Sequence, residues 1–216
     1  MAPLTRMAPK QEASRRHFDR WAGVYSRSRV LESLQRRAIA ELAPRDDDRV
    51  LDVACGAGKL VRAIAPQVER AVGVDLSPAM IDRARERTAA DPAAPADRID
   101  FAVGPSDDLP FADGEFTAVI TTTAFHHFPD PPGSVREMVR VLAPGGRIVI
   151  GDSVRDTPPA RLGDAFLRRF ERGHVGLQDE EGFVRLLAEA GIEAPSARHA
   201  WFGLYAFVGG RKPRAA

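Results

Sequence analysis

The chain has 216 residues, enough to bury one full core with a small cap, and its 44% apolar and 28% charged content is ordinary for a globular protein. Its 31 basic and 30 acidic side chains leave a net charge of +1, which gives no electrostatic footprint for nucleic acid or an anionic membrane. Cys55 is the single cysteine, no run approaches the ~18 apolar residues of a membrane span, and the basic stretch MAPLTRMAPKQEASRR lacks an apolar signal core; disulfides and multi-cysteine metal sites are excluded, and a reduced, soluble, cytoplasmic protein is the expectation.

Residues 1–28 read as a tail and cap segment, with a short helix and turn around HFDRWAGVYS. Leu31, Leu34, Ala38, Ile39 and Leu42 recur at helical spacing until Pro44. A strand over 49–54 then runs into CGAG, followed by a helix over 60–68 and a strand over 71–75. Ser77 and Pro78 supply an N-cap and a first-turn proline for a helix to about residue 88. Beyond the loop AADPAAPAD, strands are expected over 99–103 and 116–121, a helix over 134–142 and a strand over 147–150. The last third changes character: helices over 164–170 and 179–190, then two strands, 192–197 and 201–208, close in sequence.

Strands alternating with helices at this spacing predict a doubly wound α/β protein with a mostly parallel, seven-stranded, Rossmann-like sheet. The two late strands fit an antiparallel hairpin at its C-terminal edge. The expected organisation is a cap segment over 1–28, one domain over 29–210, and a frayed tail over 211–216.

The strongest local signal is VLDVACGAG, residues 50–58. Glycines between a strand and a helix let the backbone approach a ligand and turn sharply. Asp75 ends the next strand, where a carboxylate can accept hydrogen bonds from a ribose diol. A nicotinamide-dependent oxidoreductase is one reading, but the third glycine of that fingerprint falls on Val61. A Walker loop fails as well, because Gly58-Lys59 is followed by Leu60. Asp52 would repel a pyrophosphate, yet it suits an ammonium group. A ligand with a ribose at one end and an amino acid at the other satisfies both acids. The plainer alternative is that Gly56 and Gly58 only shape a tight turn.

Taken together, FDRWAGVYS, VLDVACGAG, AVGVDLSPAMI, SDDLPFADGEF, HHFPD and REMVRVLAPGGRIVI resemble, in order and spacing, the class I S-adenosylmethionine-dependent methyltransferases. The nearest likeness is to the group containing the ubiquinone and menaquinone biosynthesis enzymes. The resemblance implies S-adenosylmethionine as cofactor and methyl transfer to the O, C or N atom of a small-molecule acceptor. It also implies a site. Asp52, Ala54, Gly56 and Gly58 would line the methionine end, and Asp75 would hold the ribose. Leu76 and Met80 would lie against the adenine, Ser106 and Asp107 at its edge, Thr122 near the amino group, and Tyr25 over the cofactor. The chain departs from the pattern at Ala54, usually glycine, at Pro105, often an acid, and at Thr117, usually aspartate. These departures keep open a non-catalytic protein that binds S-adenosylmethionine or S-adenosylhomocysteine.

Displacement from a sulfonium mainly requires alignment and exclusion of water; a general base helps when the nucleophile carries a proton. His126 and His127 follow the fourth strand, at the sheet edge where ligands sit, and are the candidates for that base. Of the two, His127 is expected to be the packed residue. His17, His174 and His199 read as structural or surface groups, and Arg161, Arg168, Arg169 and Arg172 as a solvated helix face. Adjacent histidines without a further ligand at metal spacing give no metal site. Trp21, Phe125, Phe128, Phe166, Phe170, Trp201 and Phe202 are candidates for an acceptor cap.

Overall fold

A computed structural model describes residues 29–170 and 174–214. One seven-stranded sheet organises them, in the order β3-β2-β1-β4-β5-β7-β6. Its strands are β1 (Arg49–Val53), β2 (Arg70–Asp75), β3 (Ile99–Val103), β4 (Phe116–Thr122), β5 (Leu142–Ser153), β6 (Glu193–Ala200) and β7 (Tyr205–Arg211). The first five are parallel; β7 runs antiparallel to β5, and β6 antiparallel to β7. The chain order reverses between β1 and β4, so the crevice at their carboxyl ends is the expected ligand position.

The central strands β1, β2 and β4 are mostly buried along their length because both of their faces are covered, whereas β3, at the edge, is partly exposed. Alternate side chains divide between two cores. Val50, Ala118, Ile120 and Val149 face α1 (Arg29–Leu42) and α2 (Lys59–Ile64), meeting Leu34, Ala38, Leu60 and Ile64. Leu51, Val53, Val119 and Ile148 face the other way, toward Val135 and Met138 of α4 (Pro131–Val141) and Phe183 and Leu187 of α6 (Glu180–Glu189). Between these helices lie α3 (Pro78–Ala89), over β2 and β3, and α5 (Pro158–Phe170), which stands apart. Of α5, only Asp164 is fully buried, while Leu162, Phe166 and Phe170 are exposed.

Several expected boundaries move, for local reasons. The helix over 60–68 stops at Ile64 and tightens into a 3-10 turn, Ala65–Gln67, where Pro66 lacks an N–H to continue the ladder. β5 is much longer than 147–150, because it pairs with β7 as far as Ser153 and absorbs Pro144-Gly145-Gly146 as an irregularity against β4. The last strand begins at Tyr205 rather than 201; Trp201–Gly203 form a 3-10 turn with Trp201 and Phe202 at φ 51° and 54°. Helix α5 starts six residues earlier than expected (158 against 164), at Pro158.

The frayed tail from residue 211 is also corrected. Arg211 belongs to β7, and the Lys212 ammonium donates to the carbonyls of Val139 and Leu142 at 2.7 Å each. The expected cap over 1–28, with Tyr25 and Trp21, lies outside the described residues. Among the described residues no helix is long and apolar enough to cross a membrane.

Candidate active site

The carboxyl end of β1 turns through three left-handed positions, Ala54 at φ 61°, Gly56 at 51° and Gly58 at 70°. The two glycines do different work. A Cβ on Gly56 would stand in open space beside the cleft, so only the backbone conformation calls for glycine there. A Cβ on Gly58 would lie 2.8 Å from the Phe101 ring and 3.0 Å from the Ala84 Cβ, so Gly58 lets α2 close onto β3 and α3.

Asp75 closes β2 and fixes this turn. Its Oδ2 accepts the Gly56 N–H at 2.8 Å and its Oδ1 the Ser77 N–H at 2.9 Å. Ser77 Oγ in turn accepts the Met80 N–H at 3.1 Å and caps α3. The acid that ends β2 thereby holds both loops of the crevice in place.

One cleft gathers Asp52, Ala54, Gly56, Asp75, Leu76, Met80, Ser106, Asp107 and Thr122. Of the expected binding residues in the described part, only Gly58 is not brought to its wall. Pro105 lies on the same wall, and α1 contributes Leu31 and Gln35. Ser106 shares a hydrogen bond of 2.8 Å with Ser134 Oγ, which ties the β3 loop to α4.

The electrostatics are uneven. Asp52 is 4% exposed, and burial together with the nearby Asp75 pushes its carboxyl well above the ordinary range. No basic side chain among the described residues offsets either effect. Cys55 is raised as well, first by burial and then by Asp75 and Asp52. A buried carboxylate of this kind favours any cation brought within reach.

Across the cleft, β4 ends at Thr122, and Thr123 bends the chain at φ 54° with its hydroxyl 3.0 Å from the Tyr205 hydroxyl. A 3-10 turn, Phe125–His127, follows. His127 is buried, as expected of the packed member of the pair, and it also lines the cleft, while His126 is half-buried. His126 lies against it, ring centroids 4.0 Å apart, with its Nδ1 2.8 Å from Asp152 Oδ1 and its backbone N–H 3.0 Å from Asp152 Oδ2. Asp152 is buried near the end of β5. Burial pushes it up, but His126 and the N–H groups of His126 and Ser153 outweigh that and hold the carboxyl below its ordinary range.

Two residues that sequence reasoning set aside join this corner. His174, expected to be structural or surface, has a side chain only 1% exposed; its Nε2 is 2.7 Å from Asp164 Oδ1. Asp164 also accepts the Leu177 N–H at 2.8 Å and pairs with Arg168 at 3.0 Å. Burial raises its pKa, and these partners, His174 first, bring it below normal. The signal for Asp152 was present in the sequence, an acid closing an apolar strand at the ligand edge. Asp164 carried none, because an acid among arginines on a helix reads as solvated.

The cap aromatics divide. Phe125 is core, packed on Phe128 and Phe183 at 5.1 and 5.0 Å, and Phe128 reaches the cleft. Phe166, Phe170, Trp201 and Phe202 are exposed.

A doubly wound sheet with a glycine turn after β1, an acid closing β2 and a cleft at the reversal of strand order defines a Rossmann-like protein that takes a nucleoside-bearing cofactor. Residues 51–150 match the family model for a methyltransferase domain. The chain is 32% identical over 193 residues to 27-O-demethylrifamycin SV methyltransferase of Amycolatopsis mediterranei, covering 88% of this chain and 64% of that one. It is 35% identical over 151 residues to demethylmenaquinone methyltransferase of Clavibacter sepedonicus, covering 67% and 59%. The chain thus spans less than two thirds of the length of either relative. Among solved structures, the YcgJ protein of Bacillus subtilis superposes with a TM-score of 0.76 at 20% identity, over 85% of this chain and all of that one. Residues 51–150 thus form a methyltransferase domain of the class I S-adenosylmethionine-dependent type, and the chain is similar to the quinone-biosynthesis enzymes among its relatives. This domain decides against the nicotinamide reading of the Gly56-x-Gly58 turn, and S-adenosylmethionine is the cofactor of its family.

Proposed function

We propose that this protein transfers a methyl group to the O, C or N atom of a small-molecule acceptor by in-line displacement. The observation that carries the reading is the convergence of Asp52 and Asp75 on one cleft, the first buried without a cation and the second at the end of β2. S-adenosylmethionine, when bound, supplies a methyl group already activated on a sulfonium. Its two ends fit these acids: an ammonium for Asp52 and a ribose diol for Asp75.

The remaining assignments follow from position. Ala54 and Gly56 approach the methionine end through backbone, with Thr122 beside the amino group. Each oxygen of Asp75 has a lone pair beyond the backbone N–H it accepts, and these meet the ribose hydroxyls. Leu76 and Met80 form the apolar adenine wall and Ser106 and Asp107 its polar edge; Tyr25, outside the described residues, is assigned over the cofactor by the family resemblance alone. Gly58 acts indirectly, by packing α2. For an acceptor that carries a proton, the base is the His126–His127 pair. Asp152 lies against Nδ1 of His126 and orients that ring, and His127 is the member of the pair on the cleft wall. A quinone-like or polyketide-like acceptor is favoured by the relatives, one named for demethylmenaquinone and one for 27-O-demethylrifamycin SV. Cytoplasmic placement is part of the same proposal.

Calorimetric titration with S-adenosylhomocysteine tests the cofactor site, because a product cannot turn over. Micromolar binding is expected, weakened at least tenfold, about 1.4 kcal/mol, in Asp75→Ala. Unchanged affinity in a folded variant would place the ligand elsewhere.

A further inference from the structure

Apart from the cofactor cleft, a second cavity of about 560 Å³ opens beside α5, and the two share no wall residue. Its wall is made by Arg155, Arg161, Asp164, Ala165, Arg168 and Asp179, so five of its six side chains are charged. Arg155 follows β5, and its N–H donates to the Gln178 carbonyl at 3.0 Å, which ties the exit of that strand to the start of α6. Arg161 and Arg168 stand roughly two turns apart on α5 and therefore share a face. Arg169 is not on the wall; its guanidinium lies 5.6 Å from the centre of the Phe170 ring. The arginines that the sequence suggests are one solvated helix face are thus divided, and two of them meet a third from another segment.

Each guanidinium is pinned by one hydrogen bond. Arg155 Nη2 donates to Asp179 Oδ2 at 3.1 Å, Arg168 Nε to Asp164 Oδ2 at 3.0 Å, and Arg161 Nε to the Arg155 carbonyl at 3.1 Å. Gly176 makes room for one of them, since a Cβ there would collide with the Arg168 guanidinium. The two acids are committed to holding the frame. Asp179 Oδ1 accepts the Gly182 N–H at 2.9 Å and caps α6, while Asp164 Oδ1 accepts the Leu177 N–H at 2.8 Å and lies 2.7 Å from His174 Nε2. Asp156 and Glu180, neighbours in the chain of Arg155 and Asp179, face His199 at 3.3 and 3.2 Å. Three cations therefore stand against two carboxylates on the wall, and among the described residues Arg161 forms no ion pair. A guanidinium carries five N–H donors in a planar fork, so most of the donors of all three remain for a ligand.

We propose that this cavity is a second ligand site, for a phosphoryl group, free or carried by a small polar molecule. A carboxylate has two oxygens, which a single arginine fork satisfies. Three forks from two segments around one space suit a tetrahedral group with more oxygens and up to two negative charges. The volume lies in the range of small-molecule sites, roughly 300–1,000 Å³, so it leaves room for an organic remainder beyond the phosphoryl oxygens. Ala165 is the one apolar residue on the wall, which makes that remainder polar. Arg161 is the residue that the ligand completes: its charge has no carboxylate in the protein, and the ligand supplies one negative partner for it. The site is independent of methyl transfer and stands whether or not the cofactor reading does.

The test is calorimetric titration of the full-length protein, in a phosphate-free chloride buffer, with glycerol phosphate, inorganic phosphate and glycerate. Wild type is expected to bind glycerol phosphate with a dissociation constant below about 1 mM and to bind glycerate far more weakly. Arg161→Met should weaken the phosphate ester about tenfold, the loss of one charge-assisted fork. Its melting temperature should match wild type, because the substitution breaks no ion pair. Arg169→Met, on the same helix but off the wall, should bind as wild type does. Inorganic phosphate binding more weakly than the ester would make the occupant a phosphorylated molecule; equal binding would make it free phosphate, and the site stands in both cases. Absence of binding to folded wild type would overturn the proposal. So would glycerate binding as tightly as the phosphate ester, which needs no variant. Equal losses in Arg161→Met and Arg169→Met would overturn it as well, because diffuse surface charge rather than the cavity would then hold the anion.

Discussion

The two ends of the parallel sheet bury aspartates four residues apart and treat them oppositely. At the amino end, Asp48 meets the Arg147 guanidinium, accepts from Thr117 Oγ1 at 2.8 Å and from the Arg45 N–H at 2.7 Å. Burial pushes this carboxyl up, but Thr117, the Arg45 N–H and Arg147 together hold it below its ordinary range. At the carboxyl end, Asp52 has no such company and is raised. Left-handed Ala54 and Thr123 add backbone strain at that end, beside the cleft. One end surrounds its acid with partners, although Ala43 there is left-handed too; the other leaves its acid bare on the cleft wall, where we place the ligand. Thr117, where the family usually has aspartate, belongs to the amino end, which is why this departure leaves the cleft intact.

The largest effect that can break this contrast is at Arg147. It also donates from Nε to the Leu42 carbonyl at 3.0 Å, tying α1 to the sheet. Arg147→Met leaves Asp48 buried without its charge partner and is expected to cost about 3–5 kcal/mol in urea unfolding. The folded fraction should bind S-adenosylhomocysteine within about twofold of wild type. The pH dependence has a defined sign. A lowered carboxyl contributes stability above the unfolded carboxylate range, and that contribution is lost as pH falls through the folded value. Wild type should therefore lose stability on acidification below the normal aspartate range, and the variant should show less of that loss. Equal stability of the two proteins would mean that the amino end is not where the sheet is secured.

Asp52→Asn examines the opposite end and gives a smaller, inverted result. The amide keeps the shape while removing a buried charge beside Asp75. Because the folded carboxyl is raised, ionised Asp52 opposes folding once pH exceeds the unfolded carboxylate value. Without ligand the variant should melt about 2–4 °C higher at neutral pH, equivalent to about 1 kcal/mol for a chain of this size. It should also bind S-adenosylhomocysteine at least tenfold more weakly. A lower melting temperature would show that Asp52 has a structural partner, and the cofactor assignment would lose its main support.

Legibility in the sequence follows the same division. The central parallel strands announce themselves because both faces are covered and they read as short apolar runs. The glycine turn, Asp52 and Asp75 were readable because backbone geometry and ligand chemistry demand those residue types at strand ends. The acceptor side was not. His126 and His127 look equivalent in the sequence; their difference, one held by Asp152 and the other on the cleft wall, arises from how β5 sits beside β4. Asp164 and His174 are ten residues apart on a segment whose helix α5 exposes its apolar side chains and buries an acid, the inverse of the amphipathic rule. The exposed strip of α5 and the Trp201–Phe202 turn are likewise products of tertiary placement, invisible to periodicity.

The smallest prediction concerns Ala54, a left-handed residue where the family usually has glycine. A left-handed backbone costs a non-glycine residue about 1–2 kcal/mol. Glycine would remove that cost, at the expense of about 0.5–1 kcal/mol of extra freedom in the unfolded chain. The Ala54 methyl also packs, partly buried, against the core under β1. Ala54→Gly should therefore be close to neutral or stabilising by about 0.5 kcal/mol, read as a small rise in the urea midpoint. Affinity for S-adenosylhomocysteine should rise or hold, because the turn reaches its ligand-bearing shape with less strain. A clear loss of stability would mean that the methyl contributes more by packing than the left-handed backbone costs. Ala54 would then be an adaptation of this chain's core rather than a tolerated departure in its cofactor turn, and the strain assigned to the carboxyl end would rest on Thr123 alone.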